Sequence, residues 1–244
     1  VVTPPETLAA GRIAIANQIS NAGGEIVANG ATDLATSQSL TNSGTMQLRN
    51  LNSTGALDNS AGTLSAQNMR LQLDQFSNVA GTFYSQNSLD ILAQNLNNAQ
   101  GSIATGGGLN ANVQQGINNQ GGMLAAQGDI RLGSQTLGNS ASNGKAGTIS
   151  SNAGSIAISA TDSLTNSGGV IQTVGTGVEQ MLLINTAMLN NAAGKMTQGG
   201  NGTMAVTASQ SLGNSQGQII SNGALTLNAG VVHNSDGTIS ALQD

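Results

Sequence analysis

Few side chains in this sequence could do chemistry, and they do not converge. The sole histidine, His233, stands directly before the asparagine of a turn-like segment. A general base needs its substrate within hydrogen-bond reach and a pKa set by its neighbours, so His233 reads as a surface turn residue. It has no cysteine or second histidine to complete a ligand set, and no metal site is expected. Glycosidic hydrolysis would require two carboxylates roughly 5–10 Å apart. The aspartates Asp33, Asp58, Asp74, Asp90, Asp129 and Asp162 fall at differing offsets in the surrounding pattern. Asp33 and Asp90 are read as sharing an offset, but three copies apart. Asp74 and Asp90 lie on neighbouring copies at different places. The aromatics Phe76, Phe83 and Tyr84 are grouped together and supply no platform for a sugar ring. The glycine runs GGG (106–108) and GGNGTM (199–204) lack both the aspartate of a calcium-binding nonapeptide and the Lys-Ser/Thr of a phosphate loop. The sequence therefore predicts no catalytic residue, no cofactor and no enzyme.

Composition narrows the classes further. Charged residues make up 7% of the chain and aromatics 1%, with a net charge of −5. The basic residues Arg12, Arg49, Arg70, Arg131, Lys145 and Lys195 are scattered rather than striped. Nucleic-acid binding is not expected, because neither phosphates nor bases would find a surface. No apolar run approaches the length of a membrane-spanning helix. The opening VVTPPETLAAG has no basic stretch followed by an apolar one, so no signal peptide is expected. Cysteines are absent, which suits a protein exported unfolded and equally many cytoplasmic proteins.

What positions these residues is a repeat. An apolar anchor is followed two residues later by Asn21, Asn42, Asn59, Asn78, Asn98, Asn119, Asn139, Asn166, Asn191, Asn214 or Asn234, and then by glycine. The spacing averages about 21 residues, in the range of solenoids. A repeat this short cannot bury its own apolar residues, so each copy must lean on the next. In the copy LDNSAGTLSAQNMRLQLDQF (57–76), Met69, Leu71 and Leu73 alternate with Arg70 and Gln72, the period of a half-buried strand. Leu64, Phe83, Ile103, Leu124, Ile149, Ile171, Met196, Ile219 and Ile239 form a second apolar line, and the anchors a third. Three short strands per coil, about 10–11 coils of about 20 residues, predict an all-β fold: a right-handed parallel β-helix. Residues 1–12 read as a linker or partial coil and 13–244 as one β-helix domain. The repeated asparagines have two readings, as a hydrogen-bonded ladder between coils or as turn formers only. Three coils are long, with extra residues at 138–146, 174–180 and 198–202; the coil at Leu40 is short.

Written as L-x-N-x-x-G-x-[LI]-x-[SA]-x3-L-x-L-x-A, the chain resembles the haemagglutinin repeats of filamentous haemagglutinin-like exoproteins. LGNSQGQIISNGALTLNAG (212–230) and LDNSAGTLSAQNMRLQLDQ (57–75) carry the resemblance, which extends over about residues 13–244. These repeats are shared by filamentous adhesins and contact-dependent growth inhibition exoproteins. The resemblance implies a secreted virulence-type protein, passed through an outer-membrane two-partner-secretion transporter to a Gram-negative cell surface. It implies a rod that projects a receptor-binding or toxin-delivery region. The alternative is direct adhesion, with loops of the long coils (137–211) meeting a surface receptor or glycan. Neither an NPNG-type secretion motif nor a VENN-type toxin boundary occurs in this sequence. End-to-end self-association is expected of open solenoid ends.

Overall fold

The structure is a computed structural model, described here for residues 12–15, 17–28, 33–176 and 179–242. It is a parallel β-solenoid of 22 strands, with no helix among the described residues. From Thr82 onward each turn contains a short strand, such as Ser102–Thr105, and a longer one, such as Leu109–Asn118, while an earlier turn has three short strands, Glu25–Val27, Asp33–Thr36 and Ser39–Asn42. Each strand pairs in parallel with its counterparts in the preceding and following turns. Adjacent strands lie about 4.8 Å apart, so about ten turns stack into a rod roughly 50 Å long.

Strand alternation fills the interior with rows of like residues. Met46, Leu64, Phe83, Ile103, Leu124, Ile149, Ile171, Met196 and Ile219 stand in register on the short-strand face. All are fully buried. Leu89, Leu109, Ile130, Ile156, Leu182 and Met204 form the row on the second face, each 1% exposed or less. The anchors Leu40, Leu57, Phe76, Leu96, Ile117, Leu137, Leu164, Leu189 and Leu212 form the third. Phe76 and Phe83 meet edge to face inside, with ring centroids 5.0 Å apart. Fully burying one such side chain stabilises the fold by about 1.5–3 kcal/mol. Stacking is what achieves that burial.

The three apolar segments of a turn run as two hydrogen-bonded strands. The longer strand covers the second and third faces and bends between them through a register shift, as at Val113/Gly116 and Ala160/Ser163. A bulge turns the chain while pairing continues on both sides of it, so no glycine turn is needed there. Thr45–Asp58 and Thr63–Ser77 pass through all three faces as continuous strands. This accommodates the short spacing of 17 residues between Asn42 and Asn59.

Of the expected N-terminal linker, residues 1–11 lie outside the described residues, while Arg12 opens the strand Arg12–Ile15. At the opposite end Leu225, Leu227, Ala229 and Ile239 are only partly buried. No described turn covers them.

Candidate functional site

The eleven asparagines of the repeat stand above one another at one corner of the solenoid, just after the third face. The Asn21 side-chain N–H donates to the Asn42 side-chain oxygen at 2.7 Å, and Asn42 donates to Asn59 at 2.6 Å. The chain continues through Asn78, Asn98, Asn119 and Asn139 at 2.7–2.8 Å. It reaches Asn166, Asn191, Asn214 and Asn234 at 2.7–2.8 Å. Every bond points from the N-terminal to the C-terminal side, so the amide dipoles align and polarise one another. The amide nitrogen also donates to backbone: Asn98 reaches the Gly101 carbonyl at 3.4 Å and the Met123 carbonyl at 3.0 Å. Asn59 to Asn214 are fully buried, and each amide buried this way needs its partners.

The corner assigns different tasks to its residues. Positive φ falls two residues after the asparagine, on Ala61, Ala80, Gln100, Ala193, Gln216 and Asp236. The asparagine itself does not supply the left-handed turn. The glycine that follows is required by space: a Cβ on Gly81 would collide with the Asn59 carbonyl oxygen and come within 2.7 Å of Asn78 Oδ1. The same obstruction meets Gly62, Gly101, Gly122, Gly169, Gly194, Gly217 and Gly237.

The seventh copy keeps this corner despite its insertion. Asn139 donates to the Gly147 carbonyl at 3.1 Å, eight residues away, where other copies use a glycine three residues on. The residues between form a small hairpin bridged by Ser142 and Lys145. It folds back over two turns, where the Gln100 side chain donates to the Ser142 carbonyl at 3.1 Å. The insertion therefore clips the turns it crosses.

At the opposite corner, where the short strand ends, the occupants change from turn to turn. Ser85, Thr105, Ser151, Thr173, Gln198 and Ser221 are buried there. Ser151 donates to the Gly128 carbonyl at 2.7 Å. Gln198 donates to the Gln180 carbonyl at 2.7 Å and accepts from Ser221 at 3.0 Å and the Gly223 N–H at 3.2 Å. The Gln180 side-chain oxygen and the Thr197 hydroxyl are buried without a partner. Nothing in the repeat pattern marked this glutamine pair, because neither residue recurs.

The scattered chemical groups stay apart. His233 ends the exposed strand Leu225–His233, and its carbonyl accepts the Asn214 N–H at 2.7 Å. It thus belongs to a strand rather than a turn. Asp33 shares a row with Asn50 and Asn68, whereas Asp90 shares one with Arg70. Backbone register separates the two aspartates that the spacing had aligned: Asp33 precedes the row of Leu34, Leu51, Met69 and Leu89, and Asp90 follows it. Asp129 pairs with Arg131 at 2.7 Å on the surface. Among the described residues no three His, Cys, Asp or Glu side chains are grouped to hold a metal. No helix among them is long and apolar enough to cross a membrane.

Residues 197–244 match the family described as Haemagglutinin repeat, a repeat family that is not an enzymatic one. No curated protein and no solved structure matches the chain. The matched segment contains the last turns of a solenoid whose asparagine corner runs unbroken back to Asn21. The chain is therefore a parallel β-solenoid whose residues 197–244 match the haemagglutinin repeat, and it fits a filamentous haemagglutinin-like segment.

Proposed function

We propose that this segment is a stiff spacer in a large secreted exoprotein, holding a distal receptor-binding or toxin-delivery region away from a Gram-negative cell. The observation that carries this reading is the asparagine chain, unbroken from Asn21 to Asn234 and directed one way throughout. A solenoid held by nearest-neighbour contacts bends where a turn is weakly coupled to the next. Here each turn is tied to its neighbour by three buried apolar rows and a buried amide. Export through an outer-membrane two-partner-secretion transporter suits a chain without cysteines whose turns form on one another as they emerge. In-frame removal of three regular turns should shorten the maximum dimension in small-angle scattering by roughly 15 Å, at about 4.8 Å per turn. An unchanged dimension would rule the rod out.

The second reading, adhesion through the long coils, has its own observation. Val174 and Met181, flanking the insertion after Thr173, are 48% and 43% exposed. Replacing both with serine should lower attachment of the exoprotein to its target cells if this loop touches a receptor. The spacer reading expects attachment to be unchanged. The partly buried C-terminal rows further favour end-to-end association of the isolated chain, and sedimentation should show concentration-dependent species that a Leu227→Lys change removes.

A further inference from the structure

One surface groove among the described residues brings an arginine, an exposed tyrosine and three glutamines together. Gln47, Ser65 and Tyr84 follow one another in register on the outer side of the short-strand face. Their backbones are about 4.8 Å apart in turn, so Gln47 and Tyr84 stand roughly 10 Å from each other with a small serine between. The result is a groove of about 450 Å³, floored by Leu48 and Ala66 and rimmed by Arg49, Gln67 and Gln86. Its volume falls within the range of small-molecule sites.

Each wall has a distinct chemical character. Phe76 and Phe83 are spent on the core at 2% and 0% exposure, while Tyr84 is 42% exposed. The aromatics grouped in the sequence therefore separate, and one ring, that of Tyr84, is left facing outward where the sequence alone suggests no platform. Its hydroxyl end lies over Gly106, where an added Cβ would come within 3.3 Å, so the ring rests along the surface. Arg49 is exposed and forms no ion pair among the described residues. Beside the groove, Asn87 donates to Asn68 at 2.7 Å and Asn68 to Asn50 at 2.8 Å, a second, external amide chain that stiffens the rim.

We propose that this groove binds an acidic saccharide. The Tyr84 ring supports the apolar face of a pyranose, Arg49 pairs with its carboxylate, and Gln47, Gln67 and Gln86 meet its hydroxyls. Primary amides both donate and accept, as sugar hydroxyls do, and a planar guanidinium suits a carboxylate. A peptide's apolar side chains would need a deeper apolar lining than Ala66 and Leu48 provide. A nucleic acid would need several basic residues along the rod to offset its phosphates, and the groove has one.

The test is calorimetric titration of the whole 244-residue chain with sialyllactose and with digalacturonate, lactose serving as the neutral counterpart. At least one acidic probe should bind, and lactose at least about tenfold more weakly, the factor that a single lost polar contact gives. Tyr84→Ala should weaken the acidic probe by about tenfold or more. Arg49→Gln should bring it down to the level of lactose. Asn185→Ala, in the separate groove on the second face, should change nothing. All three positions are exposed, and thermal unfolding checks that each variant keeps its fold. The proposal is overturned if neither acidic probe binds, if lactose binds equally well, or if binding survives both groove variants. None of those outcomes bears on the rod, whose length is measured separately.

Discussion

The two corners of this solenoid follow opposite rules. At one, the same asparagine, a left-handed backbone two residues on and the same close glycine return in turn after turn, and even the excursion from Asn139 to Gly147 leaves the bonding intact. At the other, serine, threonine, alanine and glutamine replace one another, and some buried oxygens have no partner. A corner whose side chains each bond to an identical one in the next turn cannot vary one copy at a time. A corner that bonds to local backbone can. The first sets the repeat and tolerates an insertion only where Gly147 restores its bonding, and the second takes up the extra residues after Thr173 and Gln198.

The sharpest way to break this contrast is a methyl group. Gly101→Ala would drive a Cβ into the Asn78 carbonyl and within 2.8 Å of Asn98 Oδ1. It should destabilise the chain by at least about 3 kcal/mol, in the range of severe core overpacking. Gly133→Ala, whose Cβ meets nothing closer than Asn112 Oδ1 at 3.8 Å, should stay within about 0.5 kcal/mol of the parent. Urea unfolding midpoints decide between them, and equal midpoints would end the distinction.

Next comes the amide chain. Asn119→Ala strands the donor of Asn98 and the acceptor of Asn139 in a dry interior, a loss of about 2–4 kcal/mol. Because coupling is between neighbours, unfolding should also split into two transitions. Asn234→Ala, at the exposed end where one ladder bond is lost, should cost about 1 kcal/mol or less. A single transition with an equal loss at both positions would show that the asparagines act as turn residues alone.

The variable corner should respond less. Gln198→Ala removes bonds to Gln180, Ser221 and Gly223 and should lower stability by about 1–3 kcal/mol. Hydrogen exchange should speed up near residues 180 and 221 but not at Asn191. Spread of faster exchange to the asparagine corner would mean that the corners are coupled. The smallest effect has the opposite sign. The Ser53 hydroxyl is buried and unpartnered in the row between Thr36 and Leu71, so Ser53→Ala should stabilise by about 0.5–1 kcal/mol. A loss on thermal unfolding would reveal a partner for that hydroxyl.

Spacing and alternation by themselves determined the solenoid, its turn length, the inner rows and the corner asparagines. Those features repeat, and a repeating interior admits few other ways to bury Leu64, Phe83 and Ile103 one above another. The tertiary structure decided what repetition does not encode. The second and third apolar lines share one bent strand, because a bulge leaves no residue signature comparable to glycine. Gln180 and Gln198 meet across two turns that look unrelated in sequence. Tyr84 parts from its aromatic neighbours for the same alternation that buries Phe83: adjacent residues of a strand face opposite ways. Only stacking then brings Gln47, Arg49 and Gln67 from the two preceding turns to its side.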